Sequence, residues 1–242
     1  MAGKNVLVFQ HLVVEHPGVF RDFLAEEGHR MTVVELDEGE SIPALEHFDA
    51  LWVMGGPMDV WEEQEHPWLI AEKRAIREAV RERQLPYLGF CLGHQLLAEA
   101  LGGTVGKAAL PEVGIMEVQL APAAGTATYL DGLPPRFEVL QWHGAEVQRL
   151  PEGAALLASS ARCPVQAMAW GRGAFSMQFH IEVTSSAVDE WSSVPAYLAS
   201  LEQTLGAAGT AEFGAKTLAC MPEFNTRARR IYTNWKTRSG FG

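Results

Sequence analysis

Basic residues are scarce in this chain. Nineteen Lys and Arg stand against thirty Asp and Glu, a formal net charge of −11 over 242 residues. Such a surface repels phosphate backbones, so no nucleic-acid partner is expected. Long apolar runs are missing too. The longest stretch without Asp, Glu, Lys or Arg is the 15 residues from Gln84 to Ala98, interrupted by Pro86, Gly89, Gly93, His94 and Gln95. A membrane span needs about 20 apolar residues, so no membrane association is expected. Cysteine appears only three times, as Cys91, Cys163 and Cys220, with no C-x-x-C pair. That odd, scattered set argues against a disulfide framework or zinc ribbon and suits a reduced cytoplasm. The start, Met1-Ala2-Gly3-Lys4-Asn5, runs straight into Val6-Leu7-Val8-Phe9 without the pattern of a signal peptide, which supports a cytoplasmic location. Internal repeats and low-complexity linkers are absent as well.

What is present is ordinary globular material, 48% apolar and 20% charged, in a chain long enough to bury about 70% of its unfolded surface. Short apolar runs alternate with amphipathic ones. Strands are predicted at Asn5–Gln10, Met31–Leu36, Phe48–Met54 and Leu85–Phe90, and helices at Pro17–Gly28, His66–Arg83 and Cys91–Leu101. This alternation predicts an α/β fold, a doubly wound, mostly parallel sheet with helices on both faces. Short strands follow at Gly114–Leu120, Arg136–Gln141, Ala154–Ser159, Gln166–Trp170 and Ala174–Phe179. A helix around Trp191–Leu205, a loop at about 206–217 and a final helix carrying Phe224, Ala228, Ile231 and Trp235 complete the reading. We therefore expect an α/β domain over 1–205 and a C-terminal loop and helix over 206–242 packing on it.

The strongest chemical signal is Gly89-Phe90-Cys91-Leu92-Gly93, a G-x-C-x-G between strand and helix. It is the cysteine counterpart of the nucleophile elbow of α/β hydrolases. The helix N-terminus favours a thiolate, and the Leu92 amide points where an oxyanion would form. A core cysteine at a β–α junction would look the same. At Gln178-Phe179-His180-Ile181-Glu182, strand alternation places His180 and Glu182 on one face, suited to a base and the carboxylate that orients it. A buried structural histidine, or a metal pair, also fits H-x-E alone, but no C-x-x-C or H-E-x-x-H accompanies it. Trp52-Val53-Met54-Gly55-Gly56-Pro57 ends a strand in two glycines, a turn able to offer a backbone N–H to a developing negative charge.

Taken in order, the Gly-Gly-Pro turn, Gly89-x-Cys91-x-Gly93-x-Gln95 and Gln178-Phe179-His180-x-Glu182 resemble the class I (triad-type) glutamine amidotransferase domain. Ala100-Leu101-Gly102-Gly103, Glu112-Val113-Gly114 and Trp142-His143-Gly144 add smaller echoes. The resemblance covers residues 5–185, in particular to the stand-alone branch similar to the glutaminase half of GMP synthetase. It implies a flavodoxin-like fold, Cys91 as nucleophile, His180 as base, Glu182 as its orienter, and Gly56 and Leu92 amides as oxyanion hole. Gly55, Gln95, Trp142 and His143 would hold the substrate glutamine. A γ-glutamyl thioester would form and water would resolve it, releasing ammonia. No cofactor and no metal are implied.

Two departures stand out: Ile181 occupies the family's usual proline, and Trp142-His143-Gly144-Ala145-Glu146 replaces a common Ser-His-x-Asp. An amidotransferase also needs an acceptor activated elsewhere, and the phosphate loop G-x-x-x-x-G-K-[ST] is missing, since residues 102–108 fail it in spacing and last residue. A separate synthetase or acceptor protein would have to supply that half. The alternatives are a γ-glutamyl peptide hydrolase using the same triad and a non-catalytic interaction module. Finally, Lys216–Arg238 is locally basic, read as the solvated face of a packed helix, and Trp61, Trp68 and Glu62–Glu65 form a surface loop after the glycine turn.

Overall fold

The computed structural model describes residues 3–122 and 129–242; Met1 and Ala2 of the N-terminal stretch lie outside the described residues. Five strands form the parallel half of the sheet: β1 (Asn5–Gln10), β2 (Arg30–Glu35), β3 (Ala50–Val53), β4 (Tyr87–Phe90) and, much later, β9 (Ala174–Met177). Between them run α1 (Phe20–Glu26), α2 (Trp68–Arg77, continued by a π turn over Glu78–Glu82) and α3 (Leu92–Ala100). An antiparallel extension follows from β5 (Thr104–Leu120), β6 (Arg136–Arg149), β7 (Ala154–Ser159) and β8 (Ala167–Trp170). Among the described residues the sheet has nine strands in the order β2-β1-β3-β4-β9-β8-β7-β5-β6. The parallel half has the flavodoxin-like order, in which ligands bind beyond the carboxyl ends of the strands where the winding reverses. Here the reversal lies between β1 and β3.

Alternation along β1 explains the layering. Val6 and Val8 join one buried cluster with α1, and Leu7 and Phe9 join another with α2 and α3. The first cluster is closed by α5 (Pro195–Ser239), whose Phe224, Ala228, Ile231 and Trp235 are fully buried at helical spacing. Trp235 meets Trp52 edge-on at 5.5 Å, and Tyr232 meets Phe20 at 6.0 Å. A short α4 (Ala187–Ser192) precedes it.

Most predicted strands lie where expected, with ends moved by a residue or two. The larger differences come from tertiary contacts. β5 and β6 are far longer than the pieces predicted, because they pair antiparallel from Thr104 to Gln119 around a register shift between Lys107 and Glu112. The loop expected at about 206–217 is helical. Only Gly206 departs, with φ 67° and ψ 173°, and the helix resumes because Phe213, Thr217 and Met221 pack inward. Low propensity in that Ala-, Gly- and Thr-rich stretch is overridden by burial. Finally, β9 stops at Met177 rather than Phe179, since its partner β4 ends and the Cys91 N–H takes the Met177 carbonyl at 2.9 Å.

Candidate active site

Cys91 sits between β4 and α3 with φ 47° and ψ −103°, a backbone conformation that L-residues disfavour. Close packing enforces it. A Cβ on Gly89 would lie 2.8 Å from the Gly93 carbonyl oxygen, and one on Gly93 would collide with the Val53 backbone of β3. The Tyr87 hydroxyl donates to that Gly93 carbonyl at 2.8 Å, and the Gly93 N–H donates to the Met54 carbonyl at 3.0 Å. The glycines of the motif thus let three backbones meet behind the thiol. Leu92 opens α3, so its N–H belongs to the first turn, which has no intrahelical acceptor.

Beyond β9 the chain leaves the sheet and makes a single antiparallel bridge, His180 to Leu140 of β6. His180 Nδ1 donates to Glu182 Oε1 at 2.5 Å, while Glu182 Oε2 accepts the Ile181 N–H at 2.9 Å. Where proline is usual in the family, the Ile181 N–H here helps hold the carboxylate. Burial alone would lower the His180 pKa. The Glu182 charge first, then the neighbouring Cys91 and the hydrogen bond to Glu182, outweigh it and hold the imidazole well above the usual histidine range. The structure thus pairs His180 with Glu182 and sets Cys91 near enough to influence the imidazole, with His180 placed by the bridge to Leu140 rather than by the strand alternation expected.

Gln178 joins the site as well, although its position in the sequence gives it no role. Its Nε2 donates to Cys91 Sγ at 3.4 Å, and its Oε1 accepts from Gln95 Nε2 at 3.0 Å. Gln95 Nε2 also donates to Ala145 O at 3.1 Å, so its amide nitrogen braces the cleft wall from within. The place of Gln178 two residues before His180 was the only signal, and its partner Cys91 lies 87 residues away.

The cleft beside Cys91 has a volume of about 120 Å³ and is lined by Gly56, Leu92, Gln95, Trp142, His143 and Tyr197 among others. That is far below the roughly 300–1,000 Å³ of drug-sized pockets and suits a small amino acid or its side chain. Gly55 lies behind the wall, where its carbonyl accepts from His11 and a Cβ would strike the Glu15 carboxylate. Trp142 packs against Trp191, Tyr197 and Phe213, so the C-terminal helices form one side of the site. The Tyr197 hydroxyl donates to Glu15, whose carboxyl burial pushes above its ordinary range.

The family model described as Glutamine amidotransferase class-I matches residues 19–191. The chain belongs to this family. A glutamine-hydrolyzing GMP synthase subunit of Sulfolobus acidocaldarius is 36% identical over 154 residues, 63% of this chain and 77% of the relative. The crystal structure of a glutamine amidotransferase from Thermotoga maritima superposes with a TM-score of 0.86 at 26% identity, covering 99% of both chains. That of a glutamine amidotransferase from Methylobacillus flagellatus gives 0.87 at 29% identity, covering 98% of this chain and 95% of the other. The protein is therefore an enzyme, a class I glutamine amidotransferase. No described helix is long and apolar enough to cross a membrane.

In this amidotransferase another buried polar cluster adjoins the cleft wall at His143. Glu112, His143 and Cys163 place donor atoms within 4.8 Å of one another. Those donors are already engaged. Glu112 accepts from Ser160 at 2.7 Å and from Gln166 at 2.6 Å and faces His143 Nε2 at 3.1 Å, while His143 Nδ1 faces Ala145 O at 2.9 Å. Burial pushes the Cys163 thiol up to about 12, which keeps it protonated. The His143 ring thus braces β5 and β6, and what it offers the cleft is its share of the wall. The basic C-terminal helix bears a separate groove of about 770 Å³, lined by Arg227, Arg229 and Arg230, that shares no residue with the Cys91 cleft.

Proposed function

We propose that the protein hydrolyses the side-chain amide of glutamine through a Cys91–His180–Glu182 triad and supplies ammonia to an acceptor activated by a separate protein. In this reading residues 1–205 are the amidotransferase domain, and the C-terminal segment packs on it. The observation that carries the reading is His180, held by Glu182 through Nδ1 and with Cys91 among the groups that raise its pKa, beside a strained strand-to-helix elbow.

His180, its pKa raised, takes the thiol proton before attack; Cys91 Sγ then bonds to the amide carbon as a thiolate, and the carbonyl electrons move to oxygen. The Gly56 and Leu92 N–H groups stabilise that oxyanion; losing one such donor costs about 3–4 kcal/mol of barrier. Collapse breaks the C–N bond, and His180 returns the proton to the leaving ammonia. Water, deprotonated by His180, then cleaves the γ-glutamyl thioester to glutamate. Gln95 and the wall formed by Trp142 and His143 hold the amino-acid end. The small cleft and the identity to a relative named as glutamine-hydrolysing support glutamine as substrate.

Intact-mass analysis during turnover, with glutamine or with γ-glutamyl peptides, tests this. A γ-glutamyl adduct on Cys91 with ammonia released from glutamine is expected. An adduct with the peptides alone would make the enzyme a γ-glutamyl hydrolase, and an unmodified Cys91 with both would remove the triad reading.

A further inference from the structure

Another buried histidine–carboxylate pair lies behind the glycine turn, outside the triad. His11 directly follows β1, Glu72 sits on α2, and both side chains are fully buried. His11 Nε2 is 2.9 Å from Glu72 Oε1, and Nδ1 is 2.7 Å from the Gly55 carbonyl oxygen. Trp68 stacks on the ring at 5.4 Å and 18° between planes. We infer that His11, held by Glu72, is a positioning residue that locks the Gly55–Gly56 peptide so that the Gly56 N–H faces the reacting carbonyl. The inference rests on the oxyanion hole proposed above.

Three steps carry it. Both ring nitrogens face oxygen acceptors, and a neutral imidazole has only one N–H, so the pair must hold two protons: one on Nδ1 and one in the Nε2–Glu72 contact. Nδ1–H therefore donates to Gly55 O. The described chain has no cis peptide bond, and in a trans peptide the C=O and the following N–H point in opposite directions. With the Gly55 oxygen anchored on His11, the Gly56 N–H is directed away from that ring, and Gly56 is the residue of the pair that lines the Cys91 cleft. A flipped peptide would present a carbonyl oxygen in place of that N–H and repel the developing charge.

The surroundings keep the ring in this state. Burial alone would lower the His11 pKa, but the charge and hydrogen bond of Glu72, the Gly55 carbonyl and the Glu15 charge outweigh it. Those groups come from α2, from the turn after β3 and from the loop after β1. The turn is closely surrounded: a Cβ on Gly56 would lie 2.6 Å from Met58 Sδ, 2.9 Å from Leu92 Cδ2 and 3.1 Å from His11 Cβ. Filling space does not require this pair, since an apolar replacement of a buried ion pair is often no less stable.

The test compares glutamine hydrolysis with alkylation of Cys91 by iodoacetamide, which attacks at a saturated carbon and forms no oxyanion. His11→Leu removes the donor and is expected to lower kcat about ten- to a hundredfold, part of the roughly 10²–10³ for losing a whole oxyanion donor. KM and the alkylation rate are expected to stay near wild type. His11→Asn, whose amide nitrogen can stand where Nδ1 does, is expected to recover part of the rate. If His11→Leu fails to fold, the double variant His11→Leu/Glu72→Leu, which leaves no orphan carboxylate, is measured instead. An unchanged kcat, or a kcat and alkylation rate that fall together, overturns the inference. Hydrolysis surviving Cys91→Ala, or absent from the wild type, overturns the triad reading itself.

Discussion

The indole of Trp191 stands edge-on to the imidazole of His180, with ring centroids 4.8 Å apart. Its Nε1–H donates to the Val14 carbonyl at 3.0 Å, and the same ring meets Trp142 at 5.7 Å. The contact packs α4 against His180 behind the Cys91 cleft, so stability and activity are expected to be coupled there. Trp191→Ala is expected to destabilise the fold by about 3–5 kcal/mol, the usual cost of truncating a buried aromatic. Under conditions where the variant stays folded, kcat is expected to fall as His180 loses its packing. A folded variant with wild-type kcat would show that the triad holds His180 without help.

The positive φ of Cys91 stores backbone strain at the proposed nucleophile. Both Cys91→Ala and Cys91→Gly are expected to abolish turnover. Glycine tolerates this backbone and alanine does not, so the glycine variant is expected to be the more stable of the two by about 1 kcal/mol. Urea denaturation of the pair decides it. An alanine variant at least as stable would mean that the elbow relaxes freely.

Glu182→Gln is expected to retain part of the rate, because it leaves His180 a hydrogen-bond acceptor and removes the charge. Its effect on stability has a definite sign. The His180 pKa is raised above its ordinary value of 6.5 in the folded protein, chiefly by Glu182 and Cys91 acting against burial. The stabilisation this brings is complete below about pH 6.5 and is lost as pH rises through the folded value. Wild type should therefore exceed the variant most at about pH 5–6.5, and the gap should narrow at alkaline pH. A gap that widens with pH would contradict the assignment.

His94 behaves in the opposite sense. Its Nδ1 accepts from Ser176 at 2.8 Å and its Nε2–H donates to Val165 at 3.2 Å, so the neutral ring is fully partnered where it is buried. Burial first, and the nearby His143 second, lower its pKa to about 3. Between about pH 6.5 and 3 the unfolded chain takes up a proton that the folded chain refuses, and stability falls by about 1.4 kcal/mol per pH unit from this group. His94→Gln, which cannot titrate, is expected to flatten the acid limb of denaturation midpoint against pH. Parallel curves for wild type and variant would rule His94 out as its source.

Features carried by near neighbours along the chain were legible in the sequence. Glycines two residues either side of Cys91 are a local requirement of the elbow. The alternation in Val6–Phe9 follows from the period of a strand whose two faces are both covered. The C-terminal spacing of Phe224, Ala228, Ile231 and Trp235 announced its buried stripe in the same way. The helix across 206–217 was not legible, because its composition is that of a loop and its stability comes from residues it meets only after folding.

By itself, the sequence marked most of the strands and helices, the elbow motif, and the thiol, histidine and carboxylate proposed for the site, because each motif spans only a few residues. The tertiary structure alone decided what surrounds them. Gln178 reaches Cys91 across 87 positions, and Glu72 reaches His11 across 61. Trp191 reaches Val14 across 177. Such pairings are set when helices close over a twisted sheet and buried polar groups must find partners, and no local pattern of residues encodes which partner that is.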